Sequence, residues 1–274
     1  MTQVPPVFVL IVALLQCCWC PIITVLSLST SSAVKRQPLG RVTSLDRTKL
    51  DTTPDTSFYR EPKLVTHTDA AFIDKLKGVY QDYLLRLNND DDDSSLVILD
   101  MMSSHISHLP QVVVNRVQRL DVHGMNRQEL EQNTVRNASS GNTYLRNLND
   151  RSDFVGLCDE TATYDAVLCC AGIQYLEEAE TVLADVARIL KPGTGIIIIS
   201  FTNRFFYQKA LQGWINRGMQ ERGRLVTDYL RAAGGYEDIQ ILGDGTSIWN
   251  QLTSLSGISG DPFVAVVAKR TNEP

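Results

Sequence analysis

Asp100, Ser103, Ser104, His105 and His108 fall within nine consecutive positions of the stretch L-V-I-L-D-M-M-S-S-H-I-S-H-L-P, residues Leu96–Pro110. A carboxylate, two hydroxyls and two imidazoles at this spacing can hold a polar ligand and accept a proton from it. The four apolar residues before Asp100 are too few for a helix and suit a strand buried on both faces of a parallel sheet. Asp100 closes that strand. The short side chains of Ser103 and Ser104 then let main-chain N–H groups approach a ligand, at the edge where open α/β sheets bind. His105 and His108 are candidate general bases for a hydroxyl acceptor, and Tyr175, farther along, is a third. No carboxylate stands at matching spacing to the two imidazoles, so no metal site is expected.

Such a turn needs a sheet to hold it, and the chain alternates strand and helix signals throughout. Thr68 or Asp69 caps a predicted helix to about Leu87, with Phe72, Leu76, Val79, Tyr83 and Leu87 on one face. Asn88–Ser95 is a solvated acidic connection. Val112–Val122 holds a second apolar run, followed by the turn His123-Gly124-Met125-Asn126 and a short helix. Further strands are predicted at Thr143–Leu148, Ala162–Gly172 and Ile196–Phe201. A helix over Leu176–Leu190 is stopped by Lys191-Pro192-Gly193. A helical region spans Tyr207–Ala233, broken near Gly218, before strands at Ile239–Leu242 and Phe263–Lys269. The last two have no helix between them and should pair antiparallel. The sum is an α/β fold: a Rossmann-like doubly wound sheet of about seven strands, helices on both faces, the last strand antiparallel.

With 274 residues and 43% hydrophobic content, the chain has room for one such domain plus an extension. The extension is expected at residues 1–50 and the domain at residues 51–274. Val7–Leu28 carries no charge and is interrupted by Pro21, so it reads as a signal or an anchor, where any membrane contact would reside. Ser29–Ser44 is rich in hydroxyls and basic residues, as transit peptides are. A hydrophobic signal followed by a transit-like segment predicts plastid import, with secretion or membrane anchoring as the alternative. Five bases and one acid in the first 50 residues leave nine net negative charges on the rest, which disfavours nucleic acid as a partner. Cys17, Cys18 and Cys20 lie in the leader. Cys158, Cys169 and Cys170 remain, an odd number that makes no disulfide framework and suits a reducing compartment.

The order V-I-L-D with a small-residue turn, H-G-M-N-R-Q-E-L, R-N-L-N, T-Y-D-A-V-L-C-C-A-G-I-Q-Y-L and R-I-L-K-P-G-T-G-I-I-I-I-S-F resembles the class I S-adenosylmethionine-dependent methyltransferases over about Phe58–Arg270. The D-M-M-S-S-H-I-S-H-L-P and S-F-T-N-R-F-F pieces are similar to a plant, algal and bacterial branch related to enzymes that methylate quinones and small acceptors. The resemblance implies S-adenosylmethionine as cofactor and a small-molecule acceptor. Where that family writes D-x-G-x-G-x-G, this chain has Met102, Ser104 and Ile106 in the glycine places. A left-handed backbone there costs a non-glycine residue about 1–2 kcal/mol, so the turn is expected to take another shape, with Ser103 and Ser104 reaching the cofactor's methionine part through their hydroxyls.

Gly124 occupies the place of the family's ribose-binding acid. Asn126, two residues on, is the substitute ribose contact, or else a helix cap. Met125 packs on adenine or in the core, and Asn147 with Leu148 matches the pair that holds the adenine edge. Asp165 is structural. Ala171, Gly172 and Gln174 face the sulfonium end. Asn203 and Arg204 follow the strongest strand, where acceptor-binding groups belong, and Phe205, Phe206, Tyr207 and Trp214 either wall an apolar pocket or pack on the sheet. The alternative to an enzyme is a protein that keeps this fold as a cofactor-binding or assembly scaffold. A nicotinamide reductase would need a glycine-rich fingerprint, which the chain lacks.

Overall fold

The computed structural model describes residues 42–87, 95–158, 161–243 and 260–272. The signal, anchor and transit expectations fall on residues 1–41, outside the described residues, and so does most of the acidic run, residues 88–94. Among the described residues no helix is long and apolar enough to cross a membrane.

Among the described residues seven strands form one sheet: β1 (Leu96–Asp100), β2 (Val117–Gly124), β3 (Thr143–Leu145), β4 (Ala166–Cys170), β5 (Ile196–Phe201), β6 (Tyr236–Gly243) and β7 (Val264–Arg270), with the helices α1 (Asp55–Phe58), α2 (Ala70–Leu84), α3 (Gln111–Val114), α4 (Arg127–Glu131), α5 (Thr134–Ala138), α6 (Ala179–Ile189), α7 (Gln212–Ile215) and α8 (Met219–Ala233) before and between them. Their order is β3-β2-β1-β4-β5-β7-β6. The first five run parallel, and β7 lies antiparallel to both β5 and β6, as expected of the final strand. The winding reverses between β1 and β4. A crevice opens at such a reversal because the two connections leave in opposite directions.

Burial on both faces explains the unbroken apolar strands. Ile197 and Ile199 of β5 join the core beneath the helices α6 (Ala179–Ile189) and α8 (Met219–Ala233). Ile196 and Ile198 join the opposite core with α2 (Ala70–Leu84). Asp69 caps α2 by accepting from the Phe72 amide. The buried face of α2 is Phe72, Leu76, Tyr80 and Leu84. Val79, Tyr83 and Leu87, expected on that face, are only partly buried beside it. Asp165 is structural, as read: its Oδ2 accepts from Val97 N at 2.9 Å and its Oδ1 from Lys191 Nζ at 2.8 Å. Cys158, Cys169 and Cys170 are free thiols.

The packed body takes in residues before the expected start at Asp51. Arg47 pairs with Glu180 at 2.5 Å, Lys49 pairs with Asp55 at 2.8 Å, and Lys49 forms a β-bridge with Leu211. From there the chain crosses α1 (Asp55–Phe58), a single turn, and passes over the carboxyl ends of the strands. That crossing places residues 55–68 above the crevice.

Candidate functional site

A cavity of about 330 Å³ lies at the carboxyl ends of β1, β2 and β4. Its floor is Asp100, Met102, His123 and Gly124, its far side Asn147 and Gly172, and its roof Tyr59, Lys63 and Phe206.

The turn after β1 is tied down by its own amides. Met101 N donates to Leu168 O at 2.8 Å, Met102 N to His123 Nδ1 at 3.2 Å, and Ser103 N to His123 O at 2.7 Å. These three amides are therefore closed to a ligand. Among the described residues the amides of Ser104, His105 and Ile106 have no acceptor, which leaves them as the turn's open donors. Met102 has φ of +56°, so the first glycine place keeps its left-handed backbone, contrary to the expected change of shape. Ile106 does not share it. Room for Met102 comes from across the crevice: a Cβ on Gly172 would stand 2.8 Å from the Met102 Cβ. On the other side a Cβ on Gly124 would stand 2.8 Å from the Ser103 carbonyl oxygen. The bare backbone missing from the turn is supplied by the strands that face it.

The serine hydroxyls are engaged by carboxylates rather than presented to a cofactor. Ser103 Oγ donates to Asp100 Oδ2 at 2.6 Å and Ser104 Oγ donates to Glu129 Oε2 at 2.8 Å. Asp100 is 4% exposed. Burial pushes its carboxyl up to about 6, against the opposing pull of hydrogen bonds from Ser103 and Ser107. A folded-state pKa above the unfolded value stabilises the fold most at low pH, and the contribution is lost as pH rises through the folded value. The stability of Asp100→Asn minus that of wild type should therefore grow by about 2 kcal/mol between about pH 4 and pH 7. Urea unfolding across that range checks this, and a flat difference would show that Asp100 is already charged at low pH.

His123, which the sequence reading passed over, is 1% exposed. Its Nδ1 accepts from Met102, so Nε2 carries the proton and donates to Arg146 O at 3.1 Å. Burial pushes its pKa down to about 4, and it serves as a neutral strut between turn and strand. His108 lines the cavity and is pushed by burial to about 4, so it is uncharged at neutral pH and a weak base. His105 lines the cavity with Nδ1 3.2 Å from Ser104 Oγ. Tyr175 also lines it, but its hydroxyl accepts from Phe206 N at 2.9 Å and burial raises its pKa, so it keeps its proton.

Several expected contacts are redirected by packing. Asn126 lines the cavity but is engaged as a helix cap, the alternative expected for it: its Oδ1 accepts from Glu129 N, capping α4 (Arg127–Glu131), while Nδ2 donates to Tyr59 O at 3.0 Å and Arg60 O at 2.9 Å. Both ends of the amide are engaged. Gln174 turns away from the cavity: it lies in the tight turn Ile173–Tyr175, is 1% exposed, and donates to Ala171 O at 2.7 Å. Asn203 is exposed and bonded to Thr202, off the cavity wall. Arg204 is on the wall, its Nε 2.6 Å from Asp261 Oδ1. Of the four aromatics, Phe205 and Phe206 line the cavity, Trp214 is buried against Phe201, and Tyr207 is exposed.

Met125, Asn147, Leu148, Ala171 and Gly172 do meet at the cavity. The groups that sequence reasoning missed are Glu129 and the crossing segment with Asp55, Tyr59, Lys63 and His67. The one hint to them is the aromatic pair Phe58-Tyr59 in an otherwise polar stretch.

A model of the ubiE/COQ5 methyltransferase family matches residues 75–239. No curated protein matches the sequence. Among solved structures, geranyl diphosphate C-methyltransferase from Streptomyces coelicolor is 12% identical, with 81% of this chain and 100% of that one covered and a TM-score of 0.47. An S-adenosylmethionine-dependent methyltransferase from Archaeoglobus fulgidus is 15% identical, covering 72% of this chain and 94% of that one, with a TM-score of 0.45. One from Leishmania major is 12% identical, covering 73% of each chain, with a TM-score of 0.48.

Proposed function

The chain belongs to the ubiE/COQ5 methyltransferase family, and from that premise we propose that it transfers the methyl group of S-adenosylmethionine to a small-molecule acceptor held in the cavity over β1, β2 and β4. The observation that carries the reading is where that cavity lies: at the reversal of the sheet, walled by Asp100, Gly124, Asn147 and Gly172, one from each strand end or connection the family uses. Its size suits a ligand of nucleoside scale. The residues fit the cofactor in a second respect: the open amides of Ser104, His105 and Ile106 supply donors, and Gly124 and Gly172 keep main chain within reach. Met125, Asn147 and Leu148 would hold the nucleoside end, and Ala171 with Gly172 the sulfonium end.

S-adenosylmethionine, when bound, supplies a methyl carbon already activated by its sulfonium. What remains for the protein is alignment and exclusion of water. Tyr59 and Phe206 roof the cavity against solvent, and the Phe206 amide is fixed by the Tyr175 hydroxyl. His105, at the cavity wall, is the candidate to take a proton from a hydroxyl acceptor. Titration with S-adenosylhomocysteine in a calorimeter should show saturable binding of one molecule per chain. Absence of binding at millimolar ligand would end the enzyme reading and leave a scaffold with this fold.

A further inference from the structure

The roof of the cavity contains an aromatic box that already holds a cation. Lys63 Nζ lies 4.0 Å from the ring centre of Phe58, 4.4 Å from that of Phe206 and 5.4 Å from that of Tyr59. Among the described residues this ammonium has neither a carboxylate nor a hydrogen-bond acceptor, so π faces alone hold it. The rings are arranged edge to face, with Phe58 5.0 Å from Tyr59 and 5.2 Å from Phe206. Main-chain bonds lock two of them in place: Asn126 holds the Tyr59 carbonyl, and the Tyr175 hydroxyl holds the Phe206 amide. Tyr59, Lys63, Tyr175 and Phe206 all line the same cavity as the proposed cofactor residues. Apart from those ring contacts, Lys63 is held by its backbone, whose N–H donates to Glu129 Oε1 at 2.6 Å.

We propose that this box is the subsite for an alkylammonium group on the acceptor, with the Lys63 ammonium as its resident stand-in. The inference rests on the methyltransferase reading and names the acceptor class for the same cavity. An anionic acceptor would also meet an ammonium there, but the surroundings oppose it. Ring faces carry negative potential, and the carboxylates of Asp55 and Glu129 are close enough to help raise the pKa of the Tyr59 phenol, after the larger effect of burial. Exchanging one ammonium for another preserves that balance. Placing an anion there would set it against rings and carboxylates together.

The test uses choline and its uncharged isostere 3,3-dimethylbutan-1-ol, titrated into the full-length protein, with S-adenosylhomocysteine titrated separately. Choline should bind at least tenfold more tightly than the isostere. Lys63→Met, which keeps the stem and removes the competing charge, should tighten choline binding several-fold. Equal binding of the isostere, or choline binding unchanged or weakened in Lys63→Met, overturns the inference. If S-adenosylhomocysteine binds and choline does not, the box inference falls and the methyltransferase reading stands. If choline binds and S-adenosylhomocysteine does not, the box stands as an alkylammonium site, while the methyltransferase reading and the acceptor role that rests on it fall.

Discussion

Gly124→Ala should weaken S-adenosylhomocysteine binding by at least tenfold and lower stability by about 2 kcal/mol. The added methyl would lie 2.8 Å from the Ser103 carbonyl oxygen and 3.2 Å from a Leu130 methyl. Main chain cannot yield as a side chain can, because Ser103 N is held by His123 O at 2.7 Å and Met102 N by the ring of the same histidine. Relief therefore requires the turn to lift off β2, carrying with it the open amides of Ser104, His105 and Ile106. A uniform glycine effect is separated by Gly78→Ala in α2, where the added methyl meets nothing within 4 Å. That variant should gain about 0.5–1 kcal/mol from helix propensity and leave binding alone. Calorimetry and urea unfolding on both variants give the comparison, and wild-type affinity in Gly124→Ala would remove the turn from the binding site.

Lys209→Met should cost about 3 kcal/mol or more and expose the crossing segment to protease. Lys209 is 1% exposed, and its ammonium meets Thr53 O at 2.5 Å, Asp51 Oδ2 at 3.2 Å and Asp55 Oδ1 at 3.4 Å. Removing the buried charge takes from the Thr53 carbonyl and the Asp51 carboxylate the cation they meet, and breaking a pair by truncating its buried partner costs more than the bond itself contributes. Lys49 still holds Asp55 at 2.8 Å, so the loss should concentrate on residues 51–54 and spread to the roof at Tyr59 and Lys63. Limited proteolysis with cuts mapped by mass spectrometry, alongside urea midpoints, reads both effects. An unchanged midpoint and an unchanged cleavage pattern would mean that the roof is held by its other contacts.

The difference between what could and could not be read beforehand is one of range. The strand Ile196–Phe201 appears in the structure with the bounds predicted, because an apolar run of that length declares itself locally. Helix α2 was located, yet its buried face was misassigned past Leu76: spacings of three and four describe several stripes equally well, and the sheet beneath selected Tyr80 and Leu84. Asn126 shows the same limit at the site. Its two donor bonds go to Tyr59 and Arg60, and the partners of a side chain 66 and 67 positions away leave no local trace.

By itself the sequence determined the alternation of strands and helices, the antiparallel end of the sheet and the set of small and polar residues at the carboxyl edge, since hydrophobic period and turn chemistry act between near neighbours. Only the tertiary structure decided which of those residues face the cavity. Gly124 and Gly172 make room for Met102 and the Ser103 carbonyl from neighbouring strands, the carboxylates of Asp100 and Glu129 engage the serine hydroxyls, and a segment docked on Lys209 brings Tyr59 and Lys63 over the crevice. Each of those outcomes depends on the distance between atoms far apart in the chain, and packing alone sets that distance.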